Sequence, residues 1–278
     1  MFEVLFLGTS ASAPSAQRGL SALIVKHDDL HFLVDCGEGT TRQIQKSEIG
    51  FQHLQRILLT HGHLDHILGL GGLVNVFRHD EPIEQLEIFG GRYTLERVRP
   101  LVHAVVLRGK QSPMPLHFRE ITPGEFLETD ELRVTAFPVF HRGVDSLGYL
   151  FEEKRHPLPP NADLSSPVQN GAKLAIVGDT GRTEDLLKTV QGADALVIES
   201  TYIDEEKDKA RKFSHLTARD AAELAVRAGI KQLILTHISR RYRAKDVLAQ
   251  ARTVFPNTVV ARDFDKFQIG GDATERGN

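Results

Sequence analysis

Short apolar runs recur along the chain, each bounded by Gly, Asp or His, and each has the length of a buried strand. Between several of them, apolar residues recur every three or four positions, which predicts helices. The predicted strands are Phe2–Leu7, Ser21–Val25, Phe32–Asp35, Arg56–Thr60, Leu132–Phe137, Leu147–Phe151, Leu174–Val177, Ala195–Glu199 and Gln232–Thr236. The predicted helices are Glu38–Ser47, Leu64–Phe77, Thr94–Val106, Thr183–Val190, Thr217–Ala228 and Lys245–Thr253.

The order of these elements favours a layered α/β fold with mixed sheets, because the first half is mostly strands and the second half alternates strand and helix. Thr217 is predicted as a helix N-cap, with Asp220 three residues later, close to a capping box. We interpret residues 1–278 as one domain. Its one linker-like stretch, Glu152–Gly171, contains four prolines and predicts a surface loop or arm.

Composition narrows the class of protein. Hydrophobic residues make up 41% of the chain and charged residues 26%, which excludes wholesale disorder. The formal net charge is −3, so a nucleic-acid partner would need a local basic patch. The one cysteine, Cys36, indicates a reducing compartment. Since no apolar run is long enough for a membrane helix and Glu3 disfavours a signal peptide, we expect a cytoplasmic protein without a membrane partner.

The strongest chemical signal is the segment Thr60-His-Gly-His-Leu-Asp-His66, directly after a predicted strand. On a helix, His61 and His63 would point about 200° apart and could not share a metal ion. In a tight turn they can converge, and Gly62 relaxes the backbone there. Imidazole nitrogens suit zinc and related ions, and a carboxylate adds an oxygen ligand. We therefore expect a metal site rather than a solvated loop with chance histidines.

Three more potential ligands follow predicted strands: His141, Asp179 and His237. Each alone is more often structural or merely exposed. Loops beyond strand ends are nevertheless where ligands converge in layered α/β proteins. Together with His61, His63, Asp65 and His66 they make seven ligands, enough for two adjacent divalent ions that share one carboxylate. The donor types favour zinc and are compatible with manganese or iron.

At these residues the chain resembles the metallo-β-lactamase superfamily, whose hallmark is the motif that begins at His61. Within the superfamily it most resembles ribonuclease Z, the tRNA 3′-end endonuclease. The further matching segments are Phe6-Leu-Gly-Thr-Ser10, Asp35-Cys-Gly-Glu-Gly-Thr40 with Gln43, His215-Leu-Thr217, and Thr236-His-Ile-Ser239 with Arg241 and Tyr242.

The resemblance implies a four-layer αββα sandwich of two mixed β-sheets flanked by helices, with two metal ions at one edge. One ion would be held by His61, His63 and His141, the other by Asp65, His66 and His237, and Asp179 would bridge both. A hydroxide shared by the ions would attack phosphorus and remove the 3′ trailer of a tRNA precursor. Asp65 would also orient the nucleophile. His215, oriented by Glu199, would stabilise charge or protonate the leaving group. The family commonly forms homodimers.

The sequence predicts the residues that contact the substrate less precisely than it predicts the metal ligands. Thr9 and Ser10 lie in a turn that offers backbone N–H groups to a phosphate, although a plain strand turn fits equally well. Ser239 and Arg241 are further candidates for phosphate contact. The run Arg240–Arg243 with Lys245 is the densest basic cluster and suits a polyanion, or alternatively an exposed helix start. We interpret a second basic stretch as a solvated face: Arg92, Arg97, Arg99, Arg108 and Lys110.

Departures from the family pattern keep alternatives open. Only 37 residues separate His141 and Asp179, which leaves a short arm for gripping tRNA and favours a sibling enzyme that acts on small phosphodiesters. The loop Pro14–Gly19 keeps the family's proline and arginine but not its lysine and asparagine, and Ile198 stands where the family has histidine. A lactam or thioester hydrolase and a non-catalytic RNA-binding module are the remaining alternatives. His215 argues against the former and the intact ligand set against the latter.

Overall fold

The computed structural model describes residues 1–142, 145–154, 171–270 and, for the backbone, 276–277; most of the predicted Glu152–Gly171 loop lies outside these residues. The strands are β1 Phe2–Gly8, β2 Ala22–His27, β3 Leu30–Val34, β4 Arg56–Leu58, β5 Leu86–Gly90, β6 Leu116–Glu120, β7 Gly124–Glu128, β8 Leu132–Pro138, β9 Leu147–Glu153, β10 Lys173–Ile176, β11 Ala195–Glu199, β12 Gln232–Thr236, β13 Thr258–Val260, β14 Lys266–Ile269 and β15 Arg276–Gly277. The α-helices are α1 Thr40–Ser47, α2 Leu64–Ile67, α3 Leu70–His79, α4 Arg92–Pro100, α5 Leu187–Val190, α6 Lys207–Phe213, α7 Ala218–Ala228 and α8 Ala244–Arg252. A π-helix covers Leu101–Val106, and 3₁₀ turns cover Glu184–Leu186 and Asp204–Glu206.

Two mixed sheets form the centre of the fold. The first sheet has the order β15-β14-β1-β2-β3-β4-β5-β6, and the second has the order β13-β12-β11-β10-β9-β8-β7. Strands β3 to β6 run parallel in the first sheet, as do β10 to β13 in the second. The remaining pairs are antiparallel. Because parallel neighbours end at the same edge, the loops that follow them are brought together there.

Strand residues alternate between two buried faces, which is why their sequences read as continuous apolar runs. Along β1, Phe2, Val4 and Phe6 pack between the sheets, whereas Leu5 and Leu7 pack toward helices. Strand β11 divides in the same way between the inter-sheet core and the helices on its other side. The result is four layers, helix–sheet–sheet–helix, and this confirms the predicted fold class.

Helices cover both outer faces, and their breaks have local causes. The predicted helix Leu64–Phe77 is interrupted because Gly69 lies against the loop after β3, where its N–H donates to Cys36 O and an added Cβ would lie 2.0 Å from Gly37 O. The predicted capping box is confirmed: the Thr217 hydroxyl accepts from Asp220 N, and the Asp220 carboxylate accepts from Thr217 N. No helix in the described part of the chain is long and apolar enough to cross a bilayer.

Candidate active site

Histidines and carboxylates converge at one edge of the sandwich, where strands of both sheets end. His61 follows β4 in the first sheet, whereas His141, Asp179 and His237 follow β8, β10 and β12 in the second. His237 has a left-handed backbone, with φ of 54°. A non-glycine residue in that conformation is uncommon and is held by its surroundings. The site is therefore built where the two sheets meet, from residues far apart in sequence.

The turn Thr60–His66 is held by Asp35, which follows β3. Its carboxylate accepts from Thr60 N and from the Thr60 hydroxyl, each at 2.8 Å, and from His66 Nδ1 at 2.7 Å. Gly62 has no left-handed backbone; its role is close packing, because an added Cβ would lie 3.1 Å from Arg97 Cδ and 3.4 Å from Thr94 Cα and these neighbours would have to shift slightly. One buried carboxylate thus fixes the strand end and one imidazole together.

The first ligand group faces one oxygen of Asp179. His61, His63, His141 and Asp179 each contribute one atom to a set in which all atoms lie within 4.8 Å of one another. Asp179 Oδ2 lies 3.7 Å from His61 Nε2 and 3.8 Å from His141 Nε2. His63 Nδ1 lies 3.0 Å from His61 Nε2. Three imidazole nitrogens and a carboxylate oxygen therefore surround one point.

The second group faces the other oxygen of the same carboxylate. Asp179 Oδ1 lies 3.3 Å from His237 Nε2 and 3.5 Å from His66 Nε2. Asp65 Oδ2 lies 3.4 Å from His237 Nε2 and 3.8 Å from His66 Nε2. Asp179 is thus shared between two groups, with one oxygen toward each, which is the arrangement that two neighbouring cations require.

The outer nitrogens of four imidazoles are held by the protein. His66 Nδ1 pairs with Asp35, His61 Nδ1 with the Thr60 hydroxyl at 3.0 Å, and His237 Nδ1 with the Thr201 hydroxyl at 2.9 Å. His141 Nδ1 donates to Ser214 O at 2.8 Å. Each bond fixes the ring and directs Nε2 inward, as the outer partners of metal-bound histidines do.

Two buried inner atoms have no hydrogen-bond partner in the described structure: His66 Nε2 and Asp179 Oδ1. An unsatisfied buried polar atom is costly, so such pairs mark places where a further group fits. Both atoms point to the second group, where a cation would satisfy them. The residues present therefore fit a pair of divalent ions, and their donor set of imidazoles and carboxylates suits a transition metal.

Protonation states agree with this fit. Burial lowers the pKa of His61, His63 and His141, so these rings are neutral, the form that binds metal. Although burial acts in the opposite direction, the surrounding imidazoles lower the pKa of Asp179 and keep it ionised. His66 differs, because Asp179 and Asp35 outweigh burial and raise its pKa. A cation bound there would replace that proton.

His215 lies beside the ligand groups, between α6 and α7. Its Nδ1 is 2.8 Å from Glu199 Oε1, at the end of β11, and its ring lies 4.9 Å from the ring of His141. Glu199 is fully buried and also accepts from Thr180 N and Thr201 N. Against the effect of burial, Glu199 raises the pKa of His215 to about 9. The structure thus brings together the seven predicted ligands and the predicted His215–Glu199 pair.

Two clefts open beside the ligands; His141 lines the first, and its ring lies 4.9 Å from that of His215, which lines the second. The first, of about 590 Å³, is lined by His61, His63 and His141 together with Tyr93 and Arg97 of α4. The second, of about 690 Å³, is lined by His215, by the carboxylates of Glu184, Asp220 and Glu223, and by four basic side chains. The four basic residues are Arg182, Lys207, Arg211 and Arg227. Arg97 is exposed, as the predicted solvated face requires, but it also borders the ligands.

The predicted phosphate contacts are placed differently from the ligands. The Thr9 hydroxyl donates to Asp263 Oδ1, the Ser10 hydroxyl to Ala13 O, and Ser10 N to Gly19 O, so these groups join loops within the fold. Arg241 is exposed beyond His237 and pairs with Glu206 at 2.9 Å. Ser239 is half-buried two residues after His237.

Sequence reasoning did not assign the residues that hold the ligands in place. Asp35, Thr60 and Thr201 orient three of the imidazoles. Two of them could have been predicted from the sequence: Thr60 directly precedes the ligand motif, and Asp35 ends a predicted strand. The contact of Thr201 with His237 spans 36 residues and depends on the parallel pairing of β11 with β12.

Comparisons with known proteins agree with this geometry. The model of the beta-lactamase superfamily domain matches residues 31–238. Ribonuclease Z of Bradyrhizobium diazoefficiens is 38% identical, over 97% of this chain and all of that protein, and ribonuclease Z of Methanothermobacter thermautotrophicus is 35% identical over 97% of both. The crystal structure of the short form of human tRNase Z superposes with a TM-score of 0.79 at 27% identity, covering 97% of this chain and all of that one.

Proposed function

Because the chain belongs to the ribonuclease Z family of the beta-lactamase superfamily, we propose that it is a metal-dependent endoribonuclease that removes the 3′ trailer of tRNA precursors. The observation that supports this most is the shared carboxylate of Asp179, with one oxygen toward each of two imidazole groups, next to the His215–Glu199 pair.

We propose that His61, His63 and His141 hold one ion, that Asp65, His66 and His237 hold the other, and that Asp179 contacts both. When bound, such a pair of divalent ions activates water near neutral pH and neutralises charge on a phosphodiester. Zinc is the proposed native metal, because the set is rich in imidazole, although manganese and iron suit the same donors.

His215 supplies the proton for the leaving oxygen in this proposal. Glu199 holds Nδ1, so Nε2 is the nitrogen that faces away from the carboxylate and carries the transferable proton. The raised pKa keeps the ring protonated at neutral pH, which suits a general acid. Asp65 has a second role in addition to binding metal, since it orients the nucleophile. Its Oδ2 also accepts from Ser12 N, which ties the loop after β1 to the ligands.

The basic cleft beside His215 suits the phosphates of an RNA strand, since Arg182, Arg211 and Arg227 line it. Its lining also holds Glu184, Asp220 and Glu223, of which Asp220 pairs with Lys207 at 3.1 Å, so the three arginines are the cations proposed to contact phosphate.

Ser239 and Arg241 are proposed as further phosphate contacts, and Arg241 lies near the basic cleft, because it pairs with Glu206 and its guanidinium lies over Tyr202. Thr9 and Ser10 stay in the proposal as the weakest phosphate contacts, because both hydroxyls and Ser10 N already donate hydrogen bonds within the fold.

The test is a cleavage assay with the whole chain, a divalent metal, and three substrates: precursor tRNA, mature tRNA with its CCA end, and an aryl phosphodiester. We expect cleavage of the precursor after the discriminator base, which leaves a 3′ hydroxyl. The ligand variant His63→Ala should lose this cleavage. Its matched control is His79→Ala, because His79 is a histidine exposed at the end of α3. Turnover of the aryl ester without cleavage of RNA would reject the proposal in favour of a small-phosphodiester enzyme.

Three wider proposals accompany it. We propose one domain over residues 1–278, and a cytoplasmic site of action, which the single buried cysteine supports. We also propose a homodimer. Leu64 begins α2 and Leu68 follows its last residue, and the two side chains are 55% and 43% exposed. Exposed apolar side chains that lie side by side suit an interface between two copies of the chain. Light scattering of the purified chain tests the last point; a monomer at micromolar concentration would reject it.

A further inference from the structure

The cleft between α4 and the first ligand group has features of a nucleotide subsite. It is lined by His63 and His141 on one side and by Tyr93 and Arg97 on the other. Tyr93 and Arg97 are four residues apart on α4 and therefore lie on one face of that helix. The Tyr93 side chain is 51% exposed although it lies beside a buried ligand set.

Helix α4 is held firmly against the ligand turn. The Asp145 carboxylate accepts from Thr94 N at 3.1 Å and from the Thr94 hydroxyl at 3.2 Å, at the start of the helix. The stem of Arg97 packs beside Gly62, where an added Cβ would lie 3.1 Å from its Cδ. Helix α4 therefore holds Tyr93 and Arg97 at a fixed position beside the turn that carries His61 and His63.

The chemistry of the two side chains is complementary to a nucleotide. An exposed aromatic ring offers a stacking face that accepts any base, and stacking of this kind is typical of proteins that bind single-stranded nucleic acid. In the part of the chain that the structure describes, the Arg97 guanidinium makes no ion pair or hydrogen bond, unlike Arg92, which pairs with Glu96 at 3.1 Å. Arg97 is therefore available for a phosphate.

The position of His215 decides which nucleotide this is. His215 lies next to His141, in the basic cleft, and in the proposed reaction its proton goes to the oxygen that becomes the 3′ hydroxyl of the tRNA. The nucleotide that carries this oxygen therefore lies on the His215 side. The nucleotide that keeps the phosphate, the first of the trailer, lies on the opposite side, where the cleft of Tyr93 and Arg97 opens.

We propose that this cleft binds the first nucleotide of the trailer, with the base stacked on Tyr93 and the next phosphate paired with Arg97. The inference rests on the proposed function, and it assigns a direction to the RNA: the trailer leaves across α4 and the tRNA body lies across the basic cleft. Because stacking tolerates every base, the subsite binds trailers without regard to sequence.

The experiment compares Tyr93→Ala, Tyr93→Phe and Arg97→Ala on two precursor tRNAs, which differ only in whether the first trailer nucleotide carries a base. For the wild-type chain we expect the abasic substrate to raise KM roughly tenfold. Tyr93→Ala should raise KM for the normal precursor to a similar extent and respond no further to base removal. Tyr93→Phe keeps the ring and should behave as wild type. Arg97→Ala should raise KM for both substrates.

Arg92→Ala is the matched control, since it removes an exposed arginine from the same helix outside the cleft. An aryl phosphodiester, which has no trailer, reports the ligand centre itself; its turnover should match the wild type in Arg92→Ala and should fall less than precursor cleavage in Tyr93→Ala and Arg97→Ala. If Tyr93→Ala cleaves both precursors with the KM values of the wild type, or still loses roughly tenfold on base removal, the subsite is rejected. If the wild type does not cleave precursor tRNA at all, the proposed function has failed instead.

Discussion

The buried ligand set and the exposed rim around it are built in opposite ways. In the ligand set, four imidazoles each have an outer nitrogen held by a protein group, and Asp35 fixes two elements at once. At the rim, arginine side chains lie over aromatic rings, as Arg182 does at 3.8 Å from the ring centre of Phe140, and they reach into solvent. The chemistry is therefore specified by a rigid network, whereas the choice of substrate is left to exposed side chains with fewer fixed partners.

The largest expected effect comes from removing a ligand. His63→Ala should lose nearly all turnover and at least one metal ion, because the first ligand group then keeps only the imidazoles of His61 and His141 beside Asp179. Metal content by mass spectrometry and turnover of an aryl phosphodiester check this, with the exposed His79→Ala as control. Two ions per chain in the purified variant would show that the ligand assignment is wrong.

His215→Ala should keep both ions and lose roughly 10²–10⁴-fold in kcat on precursor tRNA, since it removes a general acid but no ligand. This variant therefore separates the role of the proton donor from that of the metal ligands. An aryl ester with a very acidic leaving group should be affected much less, because such a leaving group departs without a proton. An equal loss of kcat on precursor tRNA and on this aryl ester would contradict the role of His215 as proton donor.

Asp35→Asn tests the outer network. Asparagine keeps the size of the side chain but cannot accept from Thr60 and His66 as a carboxylate does, so the ring of His66 is held less firmly. We expect metal affinity to fall roughly 10–100-fold. Competition with a chelator measures this, and the exposed Asp80→Asn is the control. Unchanged affinity would mean that the fold alone orients the imidazole.

At the rim, smaller effects are expected. Arg182→Ala should raise KM for precursor tRNA by roughly 3–10-fold and make its salt dependence less steep, since one phosphate contact is lost. Arg241→Ala should do less, because Arg241 already pairs with Glu206. Arg119→Ala, on β6 and paired with Glu87, is the control. A larger effect for Arg241 than for Arg182 would place the RNA closer to the loop after β12 than to Arg182.

His31 extends the comparison to a buried histidine outside the site, whose Nδ1 has no hydrogen-bond partner in the described structure. Burial and Lys26 lower its pKa to about 4, below the ordinary value near 6.5. The unfolded chain therefore binds the proton more tightly, and stability that is present above pH 6.5 is lost as pH falls toward 4. His31→Gln should reduce the loss of stability between pH 7 and 5 by about 1–2 kcal/mol, without change in turnover. Urea unfolding measures it, and an identical pH dependence in the variant and in wild type would refute it.

The same contrast explains what could be predicted from the sequence. The ligand motif and the strand-end residues follow apolar runs, so the amino-acid pattern predicted that His61, His141, Asp179 and His237 stand after strands, and the family resemblance supplied their grouping. It was not enough for strands β6 and β7, because charged residues such as Arg119 and Glu125 face solvent there and interrupt the apolar pattern. The break at Gly69 depends on a loop that follows another strand, and the cleft of Tyr93 and Arg97 depends on how α4 packs on the ligand turn. Neither contact is local in sequence.

The proposed chemistry depends on two divalent ions at the edge where the sheets meet. Anomalous diffraction at the zinc absorption edge, from crystals of the whole chain grown with zinc, locates such ions without reference to activity. We expect two peaks, one among His61, His63 and His141 and one among Asp65, His66 and His237, with Asp179 facing both. Density without peaks there, with those side chains apart, would contradict the paired metal centre.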